Sequence, residues 1–192
     1  MSVSVLSAAA ELRKKYPGIR FHFYSGDAVD VAERLEQGSL DFAVMLEQVD
    51  NIKYDFLTLP DCSEWGILMK KGDVPADKKY ITQDDIKKIP LIMHQRIRLQ
   101  NEIAHWAGTD VENLNIAATY NVVHGSPVSF VRQGLGYFLT SRDLLAPTLD
   151  SEVCFLPLNP KLPTQLALVW KKYTVFSNAA KAFQKLFMLN YN

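Results

Sequence analysis

Residues 11–46 read ELRKKYPGIRFHFYSGDAVDVAERLEQGSLDFAVML, and this stretch decides the fold class. Just upstream and into it, Val5, Leu6, Ala9, Leu12 and Tyr16 recur at helical spacing. Arg13, Lys14 and Lys15 then put cations in the last turn, beside helix carbonyls of partial negative charge. Pro17-Gly18 stops that helix. Ile19, Phe21 and Phe23 alternate with Arg20, His22 and Tyr24, which predicts a strand over 19–24 with one drier face. Ser25-Gly26-Asp27 turns the chain. The Asp27 carboxylate suits the start of a second helix, with apolar positions Ala28, Val31, Ala32 and Leu35 and a stop at Gly38. After Asp41 the run to Leu46 is apolar without alternation, as in a strand buried on both faces of a parallel sheet. Helix, strand, helix and strand on short connections is the grammar of an α/β domain.

The same grammar continues downstream. Strands are predicted over 65–70 (WGILMK), 91–94, 114–122, 137–140 and 165–170. Thr82 is placed to cap a short helix with Asp84 and Asp85 in its first turn, and further helices are predicted over 100–107, 126–133 and 178–188. Pro147, Pro157, Pro160 and Pro163 make 146–163 mostly extended chain. A doubly wound unit ordinarily begins on a strand, whereas this sequence opens in a helix. A fragment of a longer chain is therefore expected.

Composition narrows the function. Lys and Arg number 21 and Asp and Glu number 21 in 192 residues, with 48% hydrophobic residues. That balance excludes a disordered charged tail. It also disfavours a free-standing nucleic-acid binder, which needs surplus cations against phosphate. The apolar runs 40–46 and 166–170 fall far short of the roughly 18 residues a membrane helix needs, so no membrane partner is expected. The first residues lack the basic start of a signal peptide, which points to a cytoplasmic location. Cys62 and Cys154 lie far apart and read as reduced thiols.

Catalytic signatures are missing: there is no G-x-S-x-G, P-loop, HExxH or CxxC. Gly134-Leu135-Gly136 lacks the third glycine of a dinucleotide loop and follows a helix rather than a strand. The histidines at 22, 94, 105 and 124 have no partner at metal-ligand spacing, so no metal or cofactor is expected. The informative signal is positional, because ligands of open α/β sheets bind beyond strand carboxyl ends, next to helix starts. Four such junctions occur: Ser25-Gly26-Asp27, Met45-Leu46-Glu47, His94 to Arg98, and Val123-His124-Gly125-Ser126. Arg96 and Arg98 suit a small anion such as a carboxylate, whereas Asp27 already places negative charge at one helix start.

The order of several weak motifs adds a resemblance. Tyr16-Pro17-Gly18 precedes an alternating segment, and Leu35-Glu36-Gln37-Gly38-Ser39-Leu40-Asp41-Phe42-Ala43 closes the next helix. Ile81 to Ile86 then leads to Ile89-Pro90-Leu91-Ile92, and Phe130 to Leu139 carries Gly134-Leu135-Gly136. In this order and spacing, across nearly the whole chain, the sequence resembles the effector-binding domain of LysR-type transcriptional regulators. It departs from that pattern at Ser141, where the family usually carries proline. It also lacks the DNA-binding winged helix-turn-helix, the linker helix and the first strand of the effector domain.

The resemblance implies a two-lobed α/β fold like type II periplasmic binding proteins, with a cleft between the lobes. Lobe I would be residues 1–61 plus 164–192 and lobe II residues 62–163. It implies a small-molecule effector, side-by-side pairing into dimers, tetramers of the full-length protein, and DNA contact only through the absent N-terminal domain. Together with the junctions it gives the expected ligand-binding set. From the first two junctions come Ser25, Gly26, Asp27, Met45 and Leu46. Gln95, Arg96, Val123 and His124 follow from the next two, with Tyr137 and Phe138 on the strand over 137–140. Two other functions compete: a solute-binding protein of a transporter, and an enzyme using a pair such as His94 with Asp27 or Glu47.

Overall fold

The computed structural model describes residues 2–46, 49–62, 64–121, 127–142, 145, 152–162 and 165–191. In chain order the helices are α1 (Val3–Lys15), α2 (Ala28–Glu36), α3 (Gln83–Ile86), α4 (Ile97–Trp106), α5 (Pro127–Arg132) and α6 (Asn178–Tyr191). The strands are β1 (Ala43–Leu46), β2 (Tyr54–Cys62), β3 (Trp65–Lys70), β4 (Leu91–His94), β5 (Ile116–Tyr120), β6 (Tyr137–Ser141), β7 (Val153–Pro157) and β8 (Gln165–Lys171). They fold as two compact units: unit 1 is Met1–Cys62 with Thr164–Asn192, and unit 2 is Ser63–Pro163.

Unit 1 is built on β8, which lies between β1 and β2 and is antiparallel to both. Alternation along β8 sorts its side chains to two sides. Leu168 packs with Val5 and Leu12 of α1 and Phe183 and Phe187 of α6. Ala167 and Val169 pack with Leu35 of α2 and with Tyr54. The Ser2 hydroxyl caps α1 by accepting from the Val5 N–H at 3.3 Å, and Asp27 caps α2 as the sequence predicts.

Two expectations fail in unit 1. Residues 19–24 form no helix and lie in no ladder. Ile19 and Phe21 do pack on the α1 and α6 core, with the Phe21 and Phe183 ring centroids 6.0 Å apart, while Phe23 and Tyr24 stay exposed. The alternation therefore reports a dry side at Ile19 and Phe21 but fails at Phe23. A strand also needs a backbone neighbour, and among the described residues none pairs with this segment. The Ile19 carbonyl accepts from Arg13 Nη1 instead. The second failure is β1, which begins only at Ala43 and runs antiparallel to β8 rather than within a parallel sheet. The strand β2 was not predicted, because Asp55, Thr58 and Pro60 break both alternation and apolar continuity.

Unit 2 holds a five-stranded sheet in the order β5-β4-β6-β3-β7. β5, β4 and β6 are parallel, and β3 is antiparallel to β6 and β7. Ile67, Met69, Leu91 and Met93 face Ile103 and Trp106 of α4. Leu68, Ile92 and Phe138 face Val131 of α5. Both faces are covered, which is why the runs WGILMK and LIMH read as continuous apolar stretches. Thr82 and Asp85 form a reciprocal capping box on α3. The strand β7 lies within the stretch read as extended chain.

Candidate functional site

The three parallel strands of unit 2 end at one corner. Tyr120 of β5 lies in register with His94 of β4. The β4–β6 pairing of Leu91 with Tyr137 and Ile92 with Phe138, continued along the strands, brings Thr140 level with His94. The His94 and Tyr120 rings meet edge to face at 5.3 Å, and Tyr120 stacks on Phe138 at 4.7 Å. The Tyr120 hydroxyl donates to the Leu139 carbonyl at 3.2 Å. Burial pushes the Tyr120 phenol up to about 12, against a small downward pull from the Thr140 hydroxyl. It stays neutral and acts as a wall of the corner.

The backbone beyond β4 is pinned in place. The Gln95 N–H donates to the Tyr120 carbonyl at 2.8 Å, and Gln100 Nε2 donates to the His94 carbonyl at 3.0 Å. The Arg96 N–H donates to His94 Nδ1 at 3.1 Å, so the neutral imidazole carries its proton on Nε2. The helix α4 starts here with Arg96 at its N-cap, and no side chain caps it. First-turn N–H groups of a helix have no intrahelical partner and carry partial positive charge. Arg96 is half-buried and makes no ion pair among the described residues, and Arg98 is exposed within the first turn. This arrangement can hold a carboxylate or similar anion against an aromatic wall.

The expected residues do not all gather there. Gln95 and Arg96 are at this corner. Tyr137 is not: it opens β6, level with Leu91, at the opposite end of the sheet. Phe138 is 1% exposed within the α5 core, so it reaches the corner only through the ring of Tyr120. β6 presents its carboxyl end, at Thr140 and Ser141, to this corner. Val123 and His124 lie outside the described residues. Tyr120 and Thr140 were missed by reading the sequence. The available signal was the last residue of each parallel strand rather than any residue of it.

In unit 1, Met45 packs half-buried against Leu35, Ala43 and Val169, and the Leu46 side chain lies outside what is described. Ser25, Gly26 and Asp27 form the entry to α2. Asp27 Oδ1 accepts from the N–H groups of Val29 and Asp30 at 2.8 and 2.9 Å. Asp30 in turn accepts from the Tyr24 hydroxyl and from Arg34 Nε. The hydrogen bond from Tyr24 lowers the Asp30 carboxyl below its ordinary range and raises the Tyr24 phenol. A Cβ at Gly26 would lie 2.4 Å from Asp30 Oδ2, so glycine is what lets this cluster close. The helix start is thus occupied by the chain's own carboxylates.

The Cys154 thiol is free and half-buried, and burial pushes its pKa up, which lowers its reactivity. The Cys62 side chain lies outside the described residues. Among the described residues no group of three His, Cys, Asp or Glu side chains could hold a metal, and no helix is long and apolar enough to cross a membrane.

Two α/β units, one ending three parallel strands at a helix start free of side-chain caps, define a binding domain of the small-ligand class. The chain belongs to the LysR substrate binding domain family, whose profile matches residues 2–188. It is 30% identical over 96 residues to the HTH-type transcriptional regulator CysB of Burkholderia cenocepacia, a match that takes in 47% of this chain and 29% of that protein. Among solved structures it is similar to the effector binding domain of QuiR in complex with shikimate. That likeness has a TM-score of 0.82 at 18% identity and covers 99% of this chain and 91% of that one. It is also similar to HinK, a LysR family transcriptional regulator from Pseudomonas aeruginosa, with a TM-score of 0.75 at 19% identity. There the chain is covered to 95% and spans 65% of HinK.

Proposed function

We propose that this chain is the effector-sensing region of a LysR-type transcription regulator, and that it takes a small carboxylate at the Arg96 corner of unit 2. The observation that carries the reading is the convergence of Tyr120, His94 and Thr140 on the amino end of α4, where Arg96 makes no ion pair among the described residues. Gln95 and the His94 ring supply further polar contacts, and Tyr120 an apolar face. The shikimate of the QuiR complex is itself a carboxylic acid, which fits the same chemistry. Binding makes and breaks no bond here. The effector shifts a population of conformations by its unequal affinity for them. DNA contact and assembly into dimers and tetramers belong to the longer regulator, acting in the cytoplasm.

A thermal-shift screen of small acids, phenols and amino acids tests this. A ligand at a hundred times its Kd adds about 2.7 kcal/mol, and thus roughly 5–10 °C for a chain of this size. At least one carboxylic acid is expected to raise the melting temperature, and Arg96→Ala to abolish most of that rise. An undiminished response in Arg96→Ala would refute the site.

A further inference from the structure

Unit 2 has a second cationic corner, at the other end of its sheet from His94. Three chain ends meet there. The strand β3 finishes at Lys70, paired with Val153 at the start of β7, and the Lys71 N–H donates to the Glu152 carbonyl at 2.9 Å. Gly72, with φ of +89°, then turns the chain away. The helix α5 finishes at Arg132. These ends enclose an open depression of about 650 Å³ lined by Lys70, Lys71, Arg132 and Glu152. Arg132 Nε and Glu152 Oε2 are 3.0 Å apart. Neither Lys70 nor Lys71 makes an ion pair among the described residues, and Lys71 acts electrostatically on the Cys154 thiol. Among the described lining residues three cations stand against one carboxylate, with Asp73 close by beside Cys154 and Tyr137, in a chain whose formal charge is zero.

We propose that this depression is a second anion site, for a small dianion bearing a phosphate group or two carboxylates. The lysine ammonium groups attract an anion that enters the depression, and Arg132 adds a planar fork of donors suited to carboxylate or phosphate oxygens. The volume lies in the range of metabolite sites and exceeds what a bare inorganic anion fills. Because the site is open to water, its affinity depends strongly on salt. It is a strand's length from Arg96 and stands independently of the reading given for that corner. Glu152 is the built-in competitor, since it occupies Arg132 when no ligand is bound.

The test is a ¹⁵N–¹H titration of the whole chain with inorganic phosphate and, separately, malonate at constant ionic strength, with acetate and chloride as monovalent references. Both dianions are expected to shift the amides of Lys70, Lys71, Arg132 and Glu152. Lys70→Ala with Lys71→Ala weakens that binding by about tenfold or more, the scale of lost charge-assisted contacts. Glu152→Gln strengthens it, and Arg96→Ala leaves it unchanged. Response to one dianion alone identifies which oxyanion group is read and supports the site. The proposal is overturned if the double lysine variant titrates like the parent, or if acetate and chloride produce the same shifts. Loss of the response in Arg96→Ala would overturn it too, by assigning the shifts to the other corner.

Discussion

Gly66→Ala puts the packing of unit 2 to a test in which the sign of the effect is decisive. Gly66 lies in β3, in register with Thr140 of β6 on one side and Pro157 of β7 on the other. Replacing a strand glycine by alanine ordinarily stabilises a protein by about 0.5–1 kcal/mol, because the unfolded chain loses freedom. Here a Cβ would lie 2.4 Å from the Leu156 carbonyl oxygen and 2.3 Å from Phe155 Cζ. The phenyl ring can turn, although the Arg142 guanidinium lies over it at 4.4 Å. The carbonyl belongs to a residue in the β3–β7 ladder and cannot move without opening it. Overpacking of this kind costs about 1–3 kcal/mol. The net expectation is a loss of about 1–2 kcal/mol, or roughly 2–8 °C in the melting temperature of a chain of this size. Differential scanning calorimetry measures it. Gly18→Ala is the control, since a Cβ there meets nothing within 4 Å, and it is expected to be neutral or slightly stabilising. Adding Phe155→Leu recovers only part of the loss, because the backbone clash remains. A Gly66→Ala protein that melts at or above the parent temperature would refute the argument from close approach.

Two further predictions follow from unit 2. Burial works against ionisation of Asp85, but its contacts with Lys78 and with the side chain and backbone of Thr82 outweigh that and hold its carboxyl below the ordinary range. A depressed folded pKa contributes stability that is complete above the unfolded value near 4 and is lost as pH falls through the folded value. Asp85→Asn is therefore expected to flatten part of the acid limb of a stability–pH curve below about pH 4, and an identical curve would argue against the capping box as its source. Phe138→Ala removes a ring that is 1% exposed and should cost about 3–5 kcal/mol by urea denaturation with little change in slope, while a loss under about 1 kcal/mol would mean the Tyr120–Phe138 stack is not tightly packed.

Local signals in the sequence reach as far as local physics does. Thr82 as a cap, Asp27 as a cap and the apolar runs of β3 and β4 were legible because each depends on neighbours a few residues away. What a strand pairs with is not encoded that way. The same alternation that marks 19–24 as half-dry cannot report that no described strand lies beside it. The apolar run of β1 likewise cannot report that its partner β8 comes from more than a hundred residues later and runs antiparallel. β2 shows the converse, since a long strand can carry Asp55, Thr58 and Pro60 when its dry side is supplied by Leu57 and Leu59. The candidate site followed the same rule. The junction carrying Gln95 and Arg96 was legible because a strand, a turn and a helix start are consecutive. Tyr120 and Thr140 were not, because their proximity to His94 comes from parallel register across three strands.

The distribution of charge is what favours the proposed anion sites in unit 2 over any in unit 1. The chain is neutral as a whole, with 21 cations against 21 anions. In unit 1 the start of α2 is filled by Asp27, and Asp30 is held by Tyr24 and Arg34, so a carboxylate ligand arriving there meets two carboxylates already bonded. In unit 2 the start of α4 has Arg96 where α2 has Asp27, and the far corner has Lys70 and Lys71 where β3 ends. A single residue at the N-cap thus reverses the local field at two otherwise similar helix starts: an acid neutralises the partial positive charge, and an arginine adds to it. Net charge says nothing of this contrast. It becomes visible only when each ionisable residue is assigned to the end of the element it occupies.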